Sequence, residues 1–382
     1  MNYTEYGRTG KKVSAVGFGG MRFDTKRPAE ENAELVRYAC SRGINYFDTA
    51  PGYCGDKSER IFGLAFKDMP GDFYVSTKAM PDPVTTVAQA REAVMKSLDR
   101  LGVPKIHFFH VWCLRNMDHY RAAVSPGRLY DGLVECRAEG LIDHIVFSSH
   151  QPGAEIKQML DSGRFEGVTL GVNLLNFPYR WDAVQAAAES GCGVAAMNPL
   201  AGGVIPQHEH ELAFLAGPGE TPTEAALRFA ISCPQINVAL VGFTRREHVD
   251  MACRAAEEAR PLAAPDLAGI RKHLSESMNA MCTGCGYCEG CPTDVPVATY
   301  MQVYNEKVMF GRTDEEMRRL LNTQRKWGML IGRKADACEC TECSRCEEAC
   351  TQHIDIISRM KEIAAWEKAI AAAQDKKSAG GG

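Results

Sequence analysis

Short apolar runs rich in β-branched residues alternate with longer amphipathic stretches from Val13 to Phe243. The runs that read as strands are Val13–Gly17, Tyr46–Asp48, Phe73–Thr77, Ile106–His110, His144–Ser148, Leu170–Leu174, Gly193–Met197 and Val238–Val241. Each is too short for a helix, whereas Ala29–Arg42, Thr86–Leu101 and Thr223–Ser232 between them carry apolar residues at helical spacing. Eight strand–helix units in this order predict an α/β fold, a closed parallel (β/α)8 TIM barrel over residues 1–260. The competing open, doubly wound sheet places a glycine-rich dinucleotide loop after its first strand. Here that place holds Gly17-Phe18-Gly19-Gly20, which lacks the G-x-G-x-x-G spacing. In parallel barrels chemistry gathers at the C-terminal ends of the strands, so polar residues there carry the first functional reading.

The pattern changes after residue 260. Pro261 and Pro265 mark a helical connector over 261–280, residues 281–358 form a small cysteine-rich domain, and 359–382 read as a helix and a tail. The tail from Lys376 to Gly382 is polar and glycine-rich, which predicts disorder. Eight of the 16 cysteines fall in two runs. Cys282, Cys285, Cys288 and Cys291 read C-x-x-C-x-x-C-x-x-C-P, and Cys340, Cys343, Cys346 and Cys350 read C-x-x-C-x-x-C-x-x-x-C. Thiolates at that spacing wrap three corners of an iron–sulfur cube, and a more distant cysteine takes the fourth. A zinc site uses four ligands, usually in two separated C-x-x-C pairs, and disulfides suit small secreted chains. The two runs therefore predict two 4Fe–4S clusters, with these eight cysteines as metal ligands. The stretch resembles the bacterial two-cluster ferredoxin domain. That resemblance implies crossed ligation: Cys282, Cys285, Cys288 and Cys350 for one cluster, and Cys340, Cys343, Cys346 and Cys291 for the other.

Composition narrows the classes. The 382 residues are 45% hydrophobic and 24% charged, enough for one large and one small packed domain. A net charge of −4 gives no electrostatic case for nucleic acid or an anionic membrane. No apolar stretch approaches bilayer length, and the start Met1-Asn2-Tyr3-Thr4-Glu5 lacks the pattern of a secretory signal. Abundant thiols in such a chain predict a reducing, cytoplasmic setting.

Four ionisable groups stand on three consecutive strand ends: Asp48 and Tyr53 after the second run, Lys78 after the third and His110 after the fourth. The stretches Asn45-Tyr46-Phe47-Asp48-Thr49-Ala50-Pro51-Gly52-Tyr53, Ser76-Thr77-Lys78 and Phe109-His110 resemble the aldo/keto reductase family. So do Asn198-Pro199-Leu200-Ala201-Gly202-Gly203 and Thr223-Glu224-Ala225-Ala226-Leu227-Arg228. The resemblance covers roughly residues 1–260, and the variant with a ferredoxin-like tail covers nearly the whole chain. It implies Tyr53 as general acid/base, Lys78 lowering the phenol pKa from its usual ~10, and Asp48 holding Lys78. It implies that His110 orients the substrate oxygen.

The same resemblance implies NADP or NAD as hydride donor. Ser148, Ser149 and Asn176 stand where the family holds the carboxamide, and Met197 where a ring stacks on the nicotinamide. Pro199, Leu200, Gly242 and Thr244 line the rest. Where members preferring NADP place a lysine, a serine, an arginine and an asparagine, this chain has Gly242, Phe243, His248 and Ala252, with Arg245 and Arg246 as candidate phosphate partners. Trp112, Tyr179 and Trp181 are candidate pocket walls, with packing as the alternative.

A nicotinamide delivers two electrons as hydride, whereas a 4Fe–4S cluster passes one at a time, so three functions stay open. The barrel reduces a small-molecule carbonyl or oxidises an alcohol with NAD(P), and the clusters serve a ferredoxin or flavoprotein partner. Or the clusters feed single electrons to a nicotinamide-independent reductive elimination or dehydroxylation. Or the clusters are structural, and the tail is a docking module.

Overall fold

The computed structural model describes residues 1–379 except 152, 278–280, 283–287, 331–332 and 351. It divides into two compact units. The first comprises Met1–Ser149, Gly153–Glu209 and Leu215–Leu262, and the second His150–Pro152, His210–Phe214 and Ala263–Gly382.

The first unit opens with an antiparallel hairpin, β1 (Tyr3–Glu5) and β2 (Lys12–Ser14). Eight strands then close a barrel: β3 (Val16–Gly19), β4 (Tyr46–Asp48), β5 (Tyr74–Ala79), β6 (Ile106–Leu114), β7 (Ile142–Ser149), β8 (Gly167–Gly171), β9 (Gly193–Met197) and β10 (Val238–Val241). Every neighbouring pair is parallel, and β10 closes onto β3. Helices intervene as the amphipathic pattern predicts. Thr86 caps the helix Val87–Leu101 by accepting the Gln89 N–H at 3.2 Å, and a capping box at Thr221 and Glu224 starts Pro222–Ser232.

Two strands depart from the sequence pattern. The predicted run Val13–Gly17 is split, because Ser14 turns the chain: its hydroxyl donates to the Val16 carbonyl at 2.6 Å while its N–H donates to Asn45 Oδ1 at 2.7 Å. The predicted run Leu170–Leu174 moves back to Gly167–Gly171. Asn173 ends it by accepting the N–H groups of Leu175 and Asn176 at 3.0 Å each, an Asx turn. The early glycine hides the strand start but serves packing. Tyr6 plugs the N-terminal end of the barrel among Tyr46, Phe108, Val146, Ala195 and Val238, and a Cβ on Gly193 or Gly167 would lie 2.2 or 2.5 Å from its ring.

Two inward or edge imidazoles must stay neutral for this packing. His107 Nδ1 accepts the Val75 N–H at 3.0 Å, and burial pushes its pKa down to about 4. His110, fully buried, is held well below its ordinary value by burial first and by the Lys78 ammonium second. The unfolded chain protonates both below about pH 6.5 while the folded chain resists. Stability is therefore complete above that pH and falls as the solution is acidified, by up to about 1.4 kcal/mol per pH unit for each group. The thermal midpoint is expected to drop between pH 7 and 5, and His107→Gln to flatten that slope in calorimetry.

In the second unit the helices are Ala264–Ser277, Val297–Phe310, Asp314–Lys326 and Ile356–Ala379, with shorter turns between them. Ile356, Met360, Ile363, Trp366 and Ile370 bury one stripe of the last helix, and Trp366 stacks on Tyr304 at 5.8 Å. Glu367, 6% exposed, accepts the Tyr300 hydroxyl at 2.7 Å and pairs with Arg325. The last helix starts at Ile356 and its backbone runs to Ala379, so four residues of the tail expected to be disordered are helical, and 380–382 lie outside the described residues. Among the described residues no helix is long and apolar enough to cross a membrane.

Candidate active site and cysteine-lined concavity

Neighbouring parallel strands bring the predicted quartet together. Asp48 pairs in register with Ser76, and Lys78 with His110, so β4, β5 and β6 present these side chains to the barrel interior. Lys78 Nζ donates to Asp48 Oδ1 at 2.5 Å and to the Thr49 carbonyl at 2.9 Å, and the two charged side chains are 3% and 7% exposed. Burial pulls the Lys78 pKa below its ordinary value, and Asp48 opposes that pull. Ser76, on the same inward face, donates its hydroxyl to the same Asp48 oxygen at 2.7 Å and lies 3.3 Å from His110 Nδ1.

That network fixes the tautomer of His110. The Ser76 proton goes to Asp48 and the Thr77 carbonyl, 3.4 Å from Nδ1, can only accept, so Nδ1 carries the imidazole proton. Nε2 then accepts from the Thr169 hydroxyl at 2.8 Å. His110 is the residue expected to orient the substrate oxygen. The strand does not end at His110 but continues to Leu114, leaving the imidazole buried with both nitrogens bonded to protein. Thr169 and Ser76 were not singled out as site residues in the sequence. Their period-two register with the quartet is the signal that could have found them.

Tyr53 lies on the loop after β4, half-buried, its ring edge-on to Trp112 at 5.6 Å. Lys78 Nζ is 5.7 Å from the Tyr53 ring centroid. Burial first, then Asp48 and Cys113, raise the Tyr53 phenol pKa above its ordinary value, whereas the resemblance implies that Lys78 lowers it. Trp181 packs on Phe177 at 5.4 Å and is buried, a packing residue, and the Tyr179 side chain lies outside the described residues.

The predicted nicotinamide contacts separate into two groups. The Ser149 hydroxyl donates to the Leu114 carbonyl at 2.6 Å, and the Asn176 amide is used by Asn173 N–H at 2.8 Å and the Gly171 carbonyl at 3.2 Å. These contacts place the two side chains at the irregularity of β6 and at the turn after β8. Ser148 accepts the Cys113 N–H at 2.9 Å and keeps its own proton to donate. Met197 ends β9 half-buried, with Pro199 and Leu200 on the loop that follows. Gly242 is exposed after β10, and Thr244 Oγ1 lies 3.3 Å from His248 Nδ1. Arg246 stacks over Tyr38 at 4.9 Å instead of standing free for a phosphate, and Arg245 is exposed. Arg22 had no place in the sequence reading. It reaches from the loop after β3 to the Gly202 carbonyl at 2.8 Å, and a Cβ on Gly242 would meet its stem at 2.7 Å. The absence of a side chain at Gly242 is the tertiary reason it fits.

In the second unit a concavity of about 490 Å³, open to solvent, is lined by Cys288, Cys291, Cys340, Cys343 and Cys346, together with Pro292, Val295 and Met360. Cys282 is buried, Cys350 is half-buried, and Cys285 lies outside the described residues. Cys338 is exposed. Among the described residues no three His, Cys, Asp or Glu groups are gathered as a single-ion site.

Backbone strain marks the same places. Among the described residues, those other than glycine with left-handed φ are Cys54, Asp56, Cys113, Asn198 and Ala201 in the first unit, and Asp294, Glu342, Ser344 and His353 in the second. The first five lie on loops or strand ends at the C-terminal face of the barrel, and the last four in or beside the cysteine runs. Such residues cost about 1–3 kcal/mol each and persist where surrounding structure over-determines them, commonly at functional sites.

Residues 15–275 match the model of the aldo/keto reductase family. L-Galactose dehydrogenase of Arabidopsis thaliana is 27% identical over 67% of this chain and 88% of its own length. D-threo-Aldose 1-dehydrogenase of a Pseudomonas species is 24% identical over 60% of this chain and 80% of its own. Among solved structures, the holo form of an aldo-keto reductase from Bacillus halodurans superposes with a TM-score of 0.60 at 23% identity, covering 72% of this chain and 96% of that one. The barrel has the fold of that enzyme, and the family match spans most of the sequence: this chain belongs to the aldo/keto reductase family and is an oxidoreductase of that type.

Proposed function

We propose that the barrel interconverts a small carbonyl compound and its alcohol at Tyr53, with hydride from NADPH or NADH, while two 4Fe–4S clusters in the second unit exchange electrons with a ferredoxin or flavoprotein partner. The observation that carries the first half is the buried Lys78–Asp48 pair beneath the half-buried Tyr53 ring. Tyr53, kept protonated by its surroundings, is the proton donor to the alkoxide that forms when a carbonyl is reduced. Lys78 and Asp48 fix the floor under it, and Ser76 ties that pair to His110. His110 acts here as a positioning residue that stays neutral.

A bound reduced nicotinamide supplies the hydride. The residues that fit it are Ser148, Met197, Pro199, Leu200, Gly242 and Thr244, with the Arg22 guanidinium supplying positive charge to the diphosphate. Arg22→Ala is expected to weaken NAD(P)H binding about 10-fold or more, the scale of one charge-assisted hydrogen bond, with little change in kcat. Fluorescence titration with each dinucleotide checks this, and unchanged affinity would remove Arg22 from the site.

For the clusters, the supporting observation is that Cys288 and Cys291 of the first run share one concavity with Cys340, Cys343 and Cys346 of the second. The resemblance assigns Cys340, Cys343, Cys346 and Cys291 to one cluster and Cys282, Cys285, Cys288 and Cys350 to the other. Each cluster, when present, passes one electron at a time. A second reading, nicotinamide-independent reductive elimination or dehydroxylation driven by the clusters, draws on the committed Ser149 and Asn176 side chains and on the fully buried Phe243 and Ala252 where phosphate-binding residues would stand.

Anaerobic addition of NADPH or NADH with a panel of aldehydes and ketones tests both, following nicotinamide and cluster absorbance together. Carbonyl-dependent nicotinamide oxidation supports the first reading. Lack of dinucleotide binding, with turnover driven by reduced ferredoxin, supports the second. Iron-free protein with full activity would reduce the cysteine runs to a scaffold or docking module.

A further inference from the structure

Cys282, the first thiol of its run, sits in a stretch without regular secondary structure, yet both polar groups of its backbone are held by one side chain. Its N–H donates to Asn305 Oδ1 at 2.8 Å, and its carbonyl accepts from Asn305 Nδ2 at 2.8 Å. The two bonds fix the amide orientation of Asn305, since only the oxygen can accept and only the nitrogen can donate. Asn305 is 6% exposed and Cys282 8%, so water does not compete for these contacts. The amide rides on the helix Val297–Phe310, anchored by the fully buried Tyr300 and Met301 and by Val303, with Tyr304 stacked on Trp366.

We propose that Asn305 is a positioning residue for an iron–sulfur cluster, aiming the Cys282 thiolate by locking the peptide groups on both sides of its Cα. This rests on the reading that the cysteine runs bind 4Fe–4S clusters. Two peptide planes pinned to a rigid helix leave χ1 as the main freedom of the side chain, which pre-organises the ligand before iron arrives. A leucine, a carboxylate or a cationic side chain at 305 could not offer a donor and an acceptor at once. No signal in the cysteine spacing points to it, because the partners are 23 positions apart.

The test compares the full-length protein with Asn305→Leu, Cys282→Ala and Met301→Ala, each reconstituted anaerobically with iron and sulfide. The wild type is expected to hold about eight irons. Release of iron to a chelator is followed with time, and Cys282→Ala identifies the half that depends on the first run. In Asn305→Leu that half is expected to leave about 10-fold faster or more, while the other half keeps its wild-type rate. Met301→Ala loosens the same helix but keeps the Asn305 amide, and it is expected to lower thermal stability but not to release one half selectively. Wild-type release from Asn305→Leu, equal acceleration of both halves, or the same selective loss in Met301→Ala would overturn the assignment while leaving the clusters in place. A wild type that binds no iron would instead defeat the cluster reading, and this inference with it.

Discussion

Tyr53→Phe is expected to lower carbonyl reduction by ~10²–10⁴-fold while leaving the fold intact, because it deletes the proton donor and almost no packing. The ring keeps its edge contact with Trp112 and its position over Lys78, since both involve the ring and not the hydroxyl. The loss is expected in kcat and kcat/KM alike, the signature of an interaction realised in the transition state. The direction of the Tyr53 pKa adds a pH dependence. A phenol held above its ordinary value stays protonated through the neutral range, so the reductive rate should show no decline near pH 7 that traces to Tyr53. Oxidation of the alcohol, which needs the phenolate as base, should rise with pH over the same range. Steady-state rates in both directions from pH 6 to 9 check this. A Phe variant with full activity would end the assignment.

Asp48→Ala is expected to destabilise the barrel by about 3–5 kcal/mol, since it strands a buried ammonium without its counter-charge. For a domain of this size that is a fall in Tm on the order of 10 °C. The Asp48→Ala/Lys78→Met double variant separates folding from function. Replacing a buried pair by apolar groups is commonly close to neutral for stability, so Tm should recover. Activity should not, because Tyr53 then lacks its floor and the Ser76 hydroxyl lacks its acceptor. Recovery of both would mean that the pair serves packing alone.

The eight-stranded plan was legible because buried parallel strands are short apolar runs separated by amphipathic helices, and three of the eight, Tyr46–Asp48, Gly193–Met197 and Val238–Val241, appear with the predicted bounds. The strand beginning at Gly167 was misplaced because its glycines answer to the Tyr6 ring, a partner about 160 residues away that no local pattern announces. The same limit applied at the site. The sequence alone gives the residue types that acid–base chemistry requires and the thiol spacing that clusters require. It cannot give the closure of the barrel, which decides that Lys78 meets Asp48 at 2.5 Å and that the His110 proton lies on Nδ1. It cannot show that Ser149 and Asn176 donate to the Leu114 and Gly171 carbonyls or that Arg22 reaches Gly202. Composition and periodicity act along the chain within a turn or two, whereas hydrogen-bond partners and desolvation are set by groups that only folding brings within reach.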